Sequence, residues 1–244
     1  MRYFFRVEYD GSKYGGWQRQ PNAVTIQELL ENAFETALRV PVSITGAGRT
    51  DAGVHAKGQG AHLDVEKPVD IRRCECSINA LLPREIAIYN LQQVNDSFHA
   101  RYSAISRRYV YRMCTRKRPL SFQRAWFLFY GVNWDLVRDN LQFLEGTHDF
   151  TSFCASGSET PNNICTIKKV SLEDEQGFIQ FTIEADRFIY KMVRTIVGTL
   201  IEIGRGKLKL SIKDIIAAKN RVLAGETAPP FGLFLENVFY PGII

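Results

Sequence analysis

The chain has 244 residues, 45% of them hydrophobic and 23% charged, with a formal net charge of +5, ordinary values for a globular protein of one large domain or two of about 100 to 150 residues each. No apolar run reaches the roughly 18 residues of a membrane span, and the charged, alternating start Met1-Arg-Tyr-Phe-Phe-Arg-Val-Glu-Tyr9 is unlike a signal peptide, so a soluble cytoplasmic protein without a membrane partner is expected. Five cysteines (Cys74, Cys76, Cys114, Cys154, Cys165) and four scattered histidines (His55, His62, His99, His148) lack metal-ligand spacing; structural thiols in a reducing compartment, and no metal, are expected.

Tyr3, Phe5, Val7 and Tyr9 alternate with Arg2, Arg6 and Glu8, the pattern of a half-buried strand, which Asp10-Gly11-Ser12 ends. Thr25 and Glu28 form a capping box ahead of Ile26, Leu29, Leu30, Ala33, Phe34, Ala37 and Leu38, predicting a helix up to Pro41. Residues 42–45 read as a short strand entering a glycine-rich turn, and Ala61, Leu63 and Val65 mark the strand leaving it. A second helix, about 70–82, is expected to bury Ile71, Cys74, Ile78 and Leu81 and to stop at Pro83. Residues 86–94 supply one more strand. The order β-α-β-β-α-β defines a split βαβ unit, an antiparallel sheet with helices on one face.

The second half repeats that order with additions. A strand over 106–115 sends Tyr109, Tyr111 and Met113 to one face and Arg108, Val110 and Arg112 to the other. There follow a strand near 125–129, a helix over about 134–145 stopped by Gly146, and a long loop over 147–163. A hairpin of 166–172 and 178–184 turns at Asp174-Glu-Gln-Gly177. Phe188, Met192, Val193, Ile196, Val197, Leu200 and Ile201 mark an apolar helix carrying Arg194, before a helix at 211–219 and a closing strand at 233–240. The expected fold class is α+β, in two related halves, 1–104 and 105–244, with a ligand cleft between them.

Two stretches carry chemistry. From Arg101 to Arg118 the chain interleaves Arg101, Arg107, Arg108, Arg112, Arg116, Lys117 and Arg118 with Tyr102, Tyr109 and Tyr111, a mixture suited to phosphates and a base, or else to a solvated strand face. In Gly46-Ala-Gly-Arg-Thr-Asp-Ala-Gly-Val-His-Ala56, one carboxylate, Asp51, stands between Arg49 and His55 on a turn of small residues that lets a bulky substrate approach. Asp51 is the candidate reactive group. A dinucleotide fingerprint would need glycine where Asp51 stands, and a Walker loop would need Lys and Ser or Thr where Gly53 is followed by Val54 and His55. A plain turn, its Asp bonded to its own backbone, is the alternative for an isolated motif.

The string Gly48-Arg-Thr-Asp-Ala-Gly-Val-His-Ala56 resembles the signature of tRNA pseudouridine synthases of the TruA type, in which the Asp is the catalytic nucleophile. The resemblance continues through Tyr9-Asp10-Gly11, Gly16-Trp17-Gln18-Arg19-Gln20, Phe98-His99-Ala100-Arg101, Arg107-Arg108-Tyr109, His148-Asp149-Phe150-Thr151-Ser152-Phe153 and Met192-Val193-Arg194, in one order over nearly the whole chain. It implies two halves joined into a continuous antiparallel sheet with the active cleft across it. It further implies action on uridines 38, 39 and 40 of the tRNA anticodon stem and loop, by a homodimer in which one tRNA touches both subunits.

Pseudouridine formation breaks the bond from ribose C1′ to N1 of uracil, turns the base and rejoins it through C5, with no redox change and no external group, so no cofactor is expected. One carboxylate serves, either attacking C1′ or removing a proton at C2′. Both routes need it ionised, and enclosure disfavours that charge, so an arginine partner is expected. The resemblance makes Arg194 that partner, with Arg49 the runner-up and a surface stripe the bland alternative. It places Tyr109 in the active site, stacking on the flipped uracil and assisting loss of the C5 proton; Tyr111 shares its face, so one of the two is a core candidate. Arg49, Arg107, Arg108 and His55 complete the expected RNA-binding set, and Leu233 either packs against the base or is plain core. Two other readings stay open. One is an RNA-binding module without catalysis. The other is a glycosidase pairing Asp51 with Asp10 or Asp64, which needs a second carboxylate about 5 to 10 Å away.

Overall fold

The computed structural model describes residues 1–155, 157, 162–175 and 177–243. In chain order its elements are β1 (Arg2–Tyr9), α1 (Ile26–Leu38), β2 (Ile44–Gly46), β3 (His55–Asp64), α2 (Ile71–Leu81), β4 (Ile86–Val94), β5 (Ser106–Cys114), β6 (Trp126–Phe127), α3 (Trp134–Leu141), β7 (Gly146–Asp149), β8 (Ile164–Glu175), β9 (Phe178–Ala185), α4 (Met192–Gly204), α5 (Ile212–Ala218) and β10 (Leu233–Phe239). The class is α+β, with mostly antiparallel strand pairing. Contacts divide the chain into two compact units, Met1–Ile105 together with the chain from Phe234, and Ser106–Leu233. The closing strand therefore belongs with the first unit, where it runs parallel to β3 through Phe234 opposite His55 and Leu235 opposite Ala56.

The first unit has the expected β-α-β-β-α-β order, and β1 lies between β3 and β4, antiparallel to both. α1 starts where the Thr25 hydroxyl accepts a bond from the Glu28 N–H, and α2 where the Asp70 carboxylate accepts from the Arg73 N–H. Two sequence expectations need correction. β1 is buried on both faces, because Phe5 packs on Phe34 of α1 while Phe4 packs edge-on to Phe98 and Tyr240. Arg6 is tolerated inside because its guanidinium donates to Asn237 Oδ1 (2.7 Å) and the Val238 carbonyl (3.1 Å). α2 buries Cys74 and Ile78, but Ile71 and Leu81, on its two end turns, lie 40% and 49% exposed.

In the second unit β9 lies between β5 and β8, β7 pairs the other side of β8, and the short β6 runs parallel to β5. α3 packs on α4 and α5, and α5 begins with a complete Ser211–Asp214 capping box. Several boundaries differ from the sequence reading, β8 for one running from Ile164 to Glu175 where 166–172 is expected. α3 ends at Leu141, where the chain turns to bury Leu144. The expected loop over 147–163 contains β7 and a single 3-10 turn, Thr151–Phe153; positions 156 and 158–161 lie outside the described residues, as does position 176 in the β8–β9 turn. β7 is short, polar and at a sheet edge, so it carries no apolar alternation to read. Among the described residues no helix is long and apolar enough to cross a membrane.

Candidate active site

Asp51 sits on the connection from β2 to β3. The Val54 N–H donates to the Asp51 carbonyl (3.1 Å), closing a turn in which Gly53 takes φ +79°. The neighbouring carbonyls are claimed by the protein: Thr50 accepts from the Trp17 N–H (3.1 Å) and Gly48 from Gln59 Nε2 (2.7 Å). The Tyr9 and Thr50 hydroxyls share a bond of 2.8 Å. Each such bond is worth about 1 kcal/mol net, so the set fixes the loop backbone.

Tyr9 and Trp17, far upstream, and Gln59, downstream, thus form the wall on which the loop rests. Gly16, at φ +96°, is so close that a Cβ would stand 2.5 Å from the Thr50 carbonyl oxygen. His55, the first residue of β3, is 2% exposed and stacks on Phe234 at 4.6 Å and 19°. Its Nδ1 lies 3.1 Å from the Gly11 N–H and 3.2 Å from Asp10 Oδ1. Unprotonated, it accepts from Gly11; protonated, it donates to Asp10. Either way it ties the start of β3 to the end of β1. The sequence reading put His55 among RNA contacts, whereas its ring is enclosed within the first unit. Asp51 is half-buried, and Arg49 is exposed.

Tyr109 and Tyr111, adjacent on one face of β5, have different surroundings. Tyr111 is 0% exposed and donates to the Pro229 carbonyl (2.8 Å); burial pushes its phenol well above the usual range, against the opposing charge of Arg194. Tyr111 is core. Tyr109 is half-buried, edge-on to Phe188 at 5.1 Å.

Arg194 is the half-buried exception in a first turn where Met192, Val193, Thr195 and Ile196 are buried. Its Nε donates to the Ala228 carbonyl (2.8 Å), and the Ala228 N–H donates back to the Arg194 carbonyl (3.1 Å), so backbone and guanidinium are anchored together. Arg107 donates to the Asp186 carbonyl (2.7 Å), and Arg108 grips Glu184 Oε2 through Nε (3.1 Å) and Nη2 (2.7 Å). Burial pushes the Glu184 carboxyl up, but the bonds from Ser106 and Arg108 outweigh it and hold the group below its ordinary range. Leu233 is 6% exposed.

The carboxylates of the glycosidase reading are differently engaged. Asp64 lies at the far end of β3, nine residues or about 30 Å of strand from His55, with its two oxygens on Arg2 at 2.9 and 2.7 Å. Asp10 accepts from the Ser12 N–H (3.0 Å) and hydroxyl as the cap of a 3-10 turn. Among the described residues no group of three or more His, Cys, Asp or Glu could hold a metal. The scaffolding by Tyr9, Trp17 and Gln59 escapes local sequence reasoning, since nothing near residue 51 links these residues to it; only the resemblance draws Tyr9 and Trp17 in.

A half-buried carboxylate thus stands on a backbone-locked turn with an exposed arginine beside it, and comparison with known proteins gives the class. A family model described as tRNA pseudouridine synthase matches residues 6–103 and 141–241. The chain belongs to this family, isomerases that convert uridine in tRNA to pseudouridine. Its similar relatives carry the name tRNA pseudouridine synthase A. The protein of Bacteroides fragilis is 43% identical over 245 residues, covering 99% of this chain and 97% of its own. That of Thermoanaerobacter sp. is 42% identical over 237 residues (96% and 97%), and that of Azobacteroides pseudotrichonymphae 41% over 244 (100% and 98%).

Proposed function

We propose that this enzyme isomerises uridines 38, 39 and 40 of the tRNA anticodon stem and loop, with Asp51 acting on the ribose of a uridine flipped from its stack. The observation that carries the reading is the Asp51 turn itself: the Thr50 and Gly48 carbonyls on one side and Val54 on the other are pinned by hydrogen bonds, while the aspartate is half-buried and Arg49 is exposed. Fixed backbone lowers the cost of placing a nucleophile.

In the reaction the C1′–N1 bond breaks, C1′ joins C5, the C5 proton leaves and N1 gains a proton. Asp51 either attacks C1′ or removes the C2′ proton. Arg194 keeps that carboxylate charged, its guanidinium oriented by the Ala228 carbonyl. Tyr109 stacks on the uracil and assists the C5 proton, since Tyr111 is occupied by Pro229; Leu233 backs the base. Arg49, Arg107 and Arg108 meet phosphates, and His55 acts from inside by steadying the loop. The enzyme works in the cytoplasm, as a homodimer, without a cofactor.

Transcripts carrying C5-tritiated uridine test the reading, because only base rotation exchanges that hydrogen with water. Release should persist while any of uridines 38, 39 and 40 remains and cease when all three are cytidine. Release from the triple-cytidine transcript would overturn the positional assignment.

A further inference from the structure

Beyond Arg194, α4 is apolar except along one side, where Thr195, Gly198, Thr199 and Glu202 stand at helical spacing. Both threonines are 0% exposed. They meet the segment 225–229, which is neither helix nor strand. An irregular backbone must find partners for its N–H and carbonyl groups, and this one finds them residue by residue on α4. The Gly225 N–H donates to Thr199 Oγ1 (2.9 Å), and the Glu226 N–H to Glu202 Oε1 (3.3 Å). The Thr227 and Thr195 hydroxyls share a bond of 3.3 Å, and the Ala228 N–H donates to the Arg194 carbonyl (3.1 Å). Pro229 then gives its carbonyl to Tyr111.

Gly198 sets how close this strap lies to the helix. A Cβ there would overlap the Glu226 carbonyl oxygen and stand 3.2 Å from the Ala228 nitrogen, so the two backbones are in direct contact. Thr199 closes the same contact, its hydroxyl donating to the Thr195 carbonyl (2.7 Å) while accepting from Gly225. A strap that merely covered the core would rest on apolar side chains, whereas glycine inside a helix and threonine bonded back to its own helix both weaken it. What this costly face secures is the place of Ala228, whose carbonyl takes the Arg194 Nε (2.8 Å). Fixing Nε fixes the plane of the guanidinium fork.

We propose that Gly198 and Thr199 are positioning residues for the reaction: with the 225–228 strap they set where the Ala228 carbonyl stands and, through it, where the Arg194 guanidinium points. The inference rests on the reading that Arg194 serves the chemistry, and adds the device that aims it.

Single-turnover tritium release by the full chain at rising tRNA concentration gives a limiting rate and a half-saturation point for each variant. Gly198→Ala forces the strap off the helix, and a displacement of about 1 Å at the guanidinium should lower the limiting rate roughly a hundredfold while half-saturation stays within about twofold of wild type. Thr199→Val keeps the shape but leaves the Gly225 N–H without its acceptor, and should lower the limiting rate about threefold or more; Thr199→Ser keeps the hydroxyl and should restore it. The deciding comparison is made in Arg194→Ala, where either substitution should add less than about twofold, because the side chain it acts through is gone. If Gly198→Ala does not fold, the Thr199 variants carry the same comparison. An Arg194→Ala protein with the wild-type limiting rate would sink both the Arg194 reading and this device. A slow Arg194→Ala beside folded Gly198→Ala and Thr199→Val proteins at the wild-type rate would sink the device alone. So would equal losses with and without Arg194, the mark of a purely structural role, or a change confined to half-saturation.

Discussion

Gly16→Ala probes the wall behind the Asp51 turn. Gly16 holds φ +96°, and an added Cβ would stand 2.5 Å from the Thr50 carbonyl oxygen and 3.1 Å from both the Ala52 nitrogen and the Asp51 carbonyl carbon. The left-handed backbone costs a non-glycine residue about 1 to 2 kcal/mol, and crowding against backbone that cannot swing aside adds about 1 to 3 kcal/mol. If the fold absorbs both, stability drops by about 2 to 5 kcal/mol. At about 2 to 4 °C per kcal/mol for a chain of this size, the melting point falls by at least about 4 °C. If the turn yields instead, the strain is relieved by displacing Asp51, and a shift of about 1 Å lowers turnover roughly a hundredfold. Thermal unfolding paired with single-turnover tritium release separates the two, with Gly48→Ala as the control, since a Cβ there meets nothing within 4 Å. A Gly16→Ala protein with both wild-type melting point and wild-type rate would refute the packing argument.

Further outcomes follow from the same geometry. Arg194→Lys keeps the charge but loses the planar fork that donates to Ala228, so kcat should fall tenfold or more, about the loss of one charged hydrogen bond, with little change in KM; an unchanged kcat would remove Arg194 from the mechanism. Tyr111→Phe should lower stability by about 0.5 to 1.5 kcal/mol through loss of the Pro229 bond while sparing the rate, and Tyr109→Phe should do the reverse; matching effects would undo the distinction. His62 is depressed to about 4, chiefly by burial and then by the charge of Arg2. A histidine held neutral in the fold contributes stability that is whole above its unfolded value near 6.5 and is lost as pH falls toward 4, in total about 3 kcal/mol. Urea unfolding at pH 7 and pH 4.5 should therefore show a flatter acid response for His62→Gln, and parallel responses would count against a neutral buried ring.

Local chemistry made much of the fold legible. Thr25 announced the start of α1 as its N-cap, the helices expected from about 70 and 211 start within a residue of those positions, and residues 86–94 bound β4 in sequence and structure alike. What escaped was set by distant partners. Arg6 reads as the polar half of an alternating strand, but Asn237 and Val238, over 230 positions away, give it a buried place. Ile71 and Leu81 fit a helical stripe, yet they lie on the end turns of α2 and remain exposed. At the candidate site, the turn around Asp51 is written in glycines and alanines, while the bonds that steady it come from Tyr9, Trp17 and Gln59. Tyr109 and Tyr111 have the same residue type and the same strand face, so beyond the resemblance it takes burial and the Pro229 bond to tell them apart.

The central claim is that one carboxylate does the chemistry, and Asp51→Asn reaches it most directly. The amide keeps the size of the side chain and leaves the hydrogen bonds of Thr50, Gly48 and Val54 in place, so fold and tRNA binding should survive. With tRNA tritiated at C5 of uridine 39, single-turnover release of tritium should drop at least about a thousandfold relative to wild type. Release at the wild-type rate by a folded, tRNA-binding Asn variant would contradict the account.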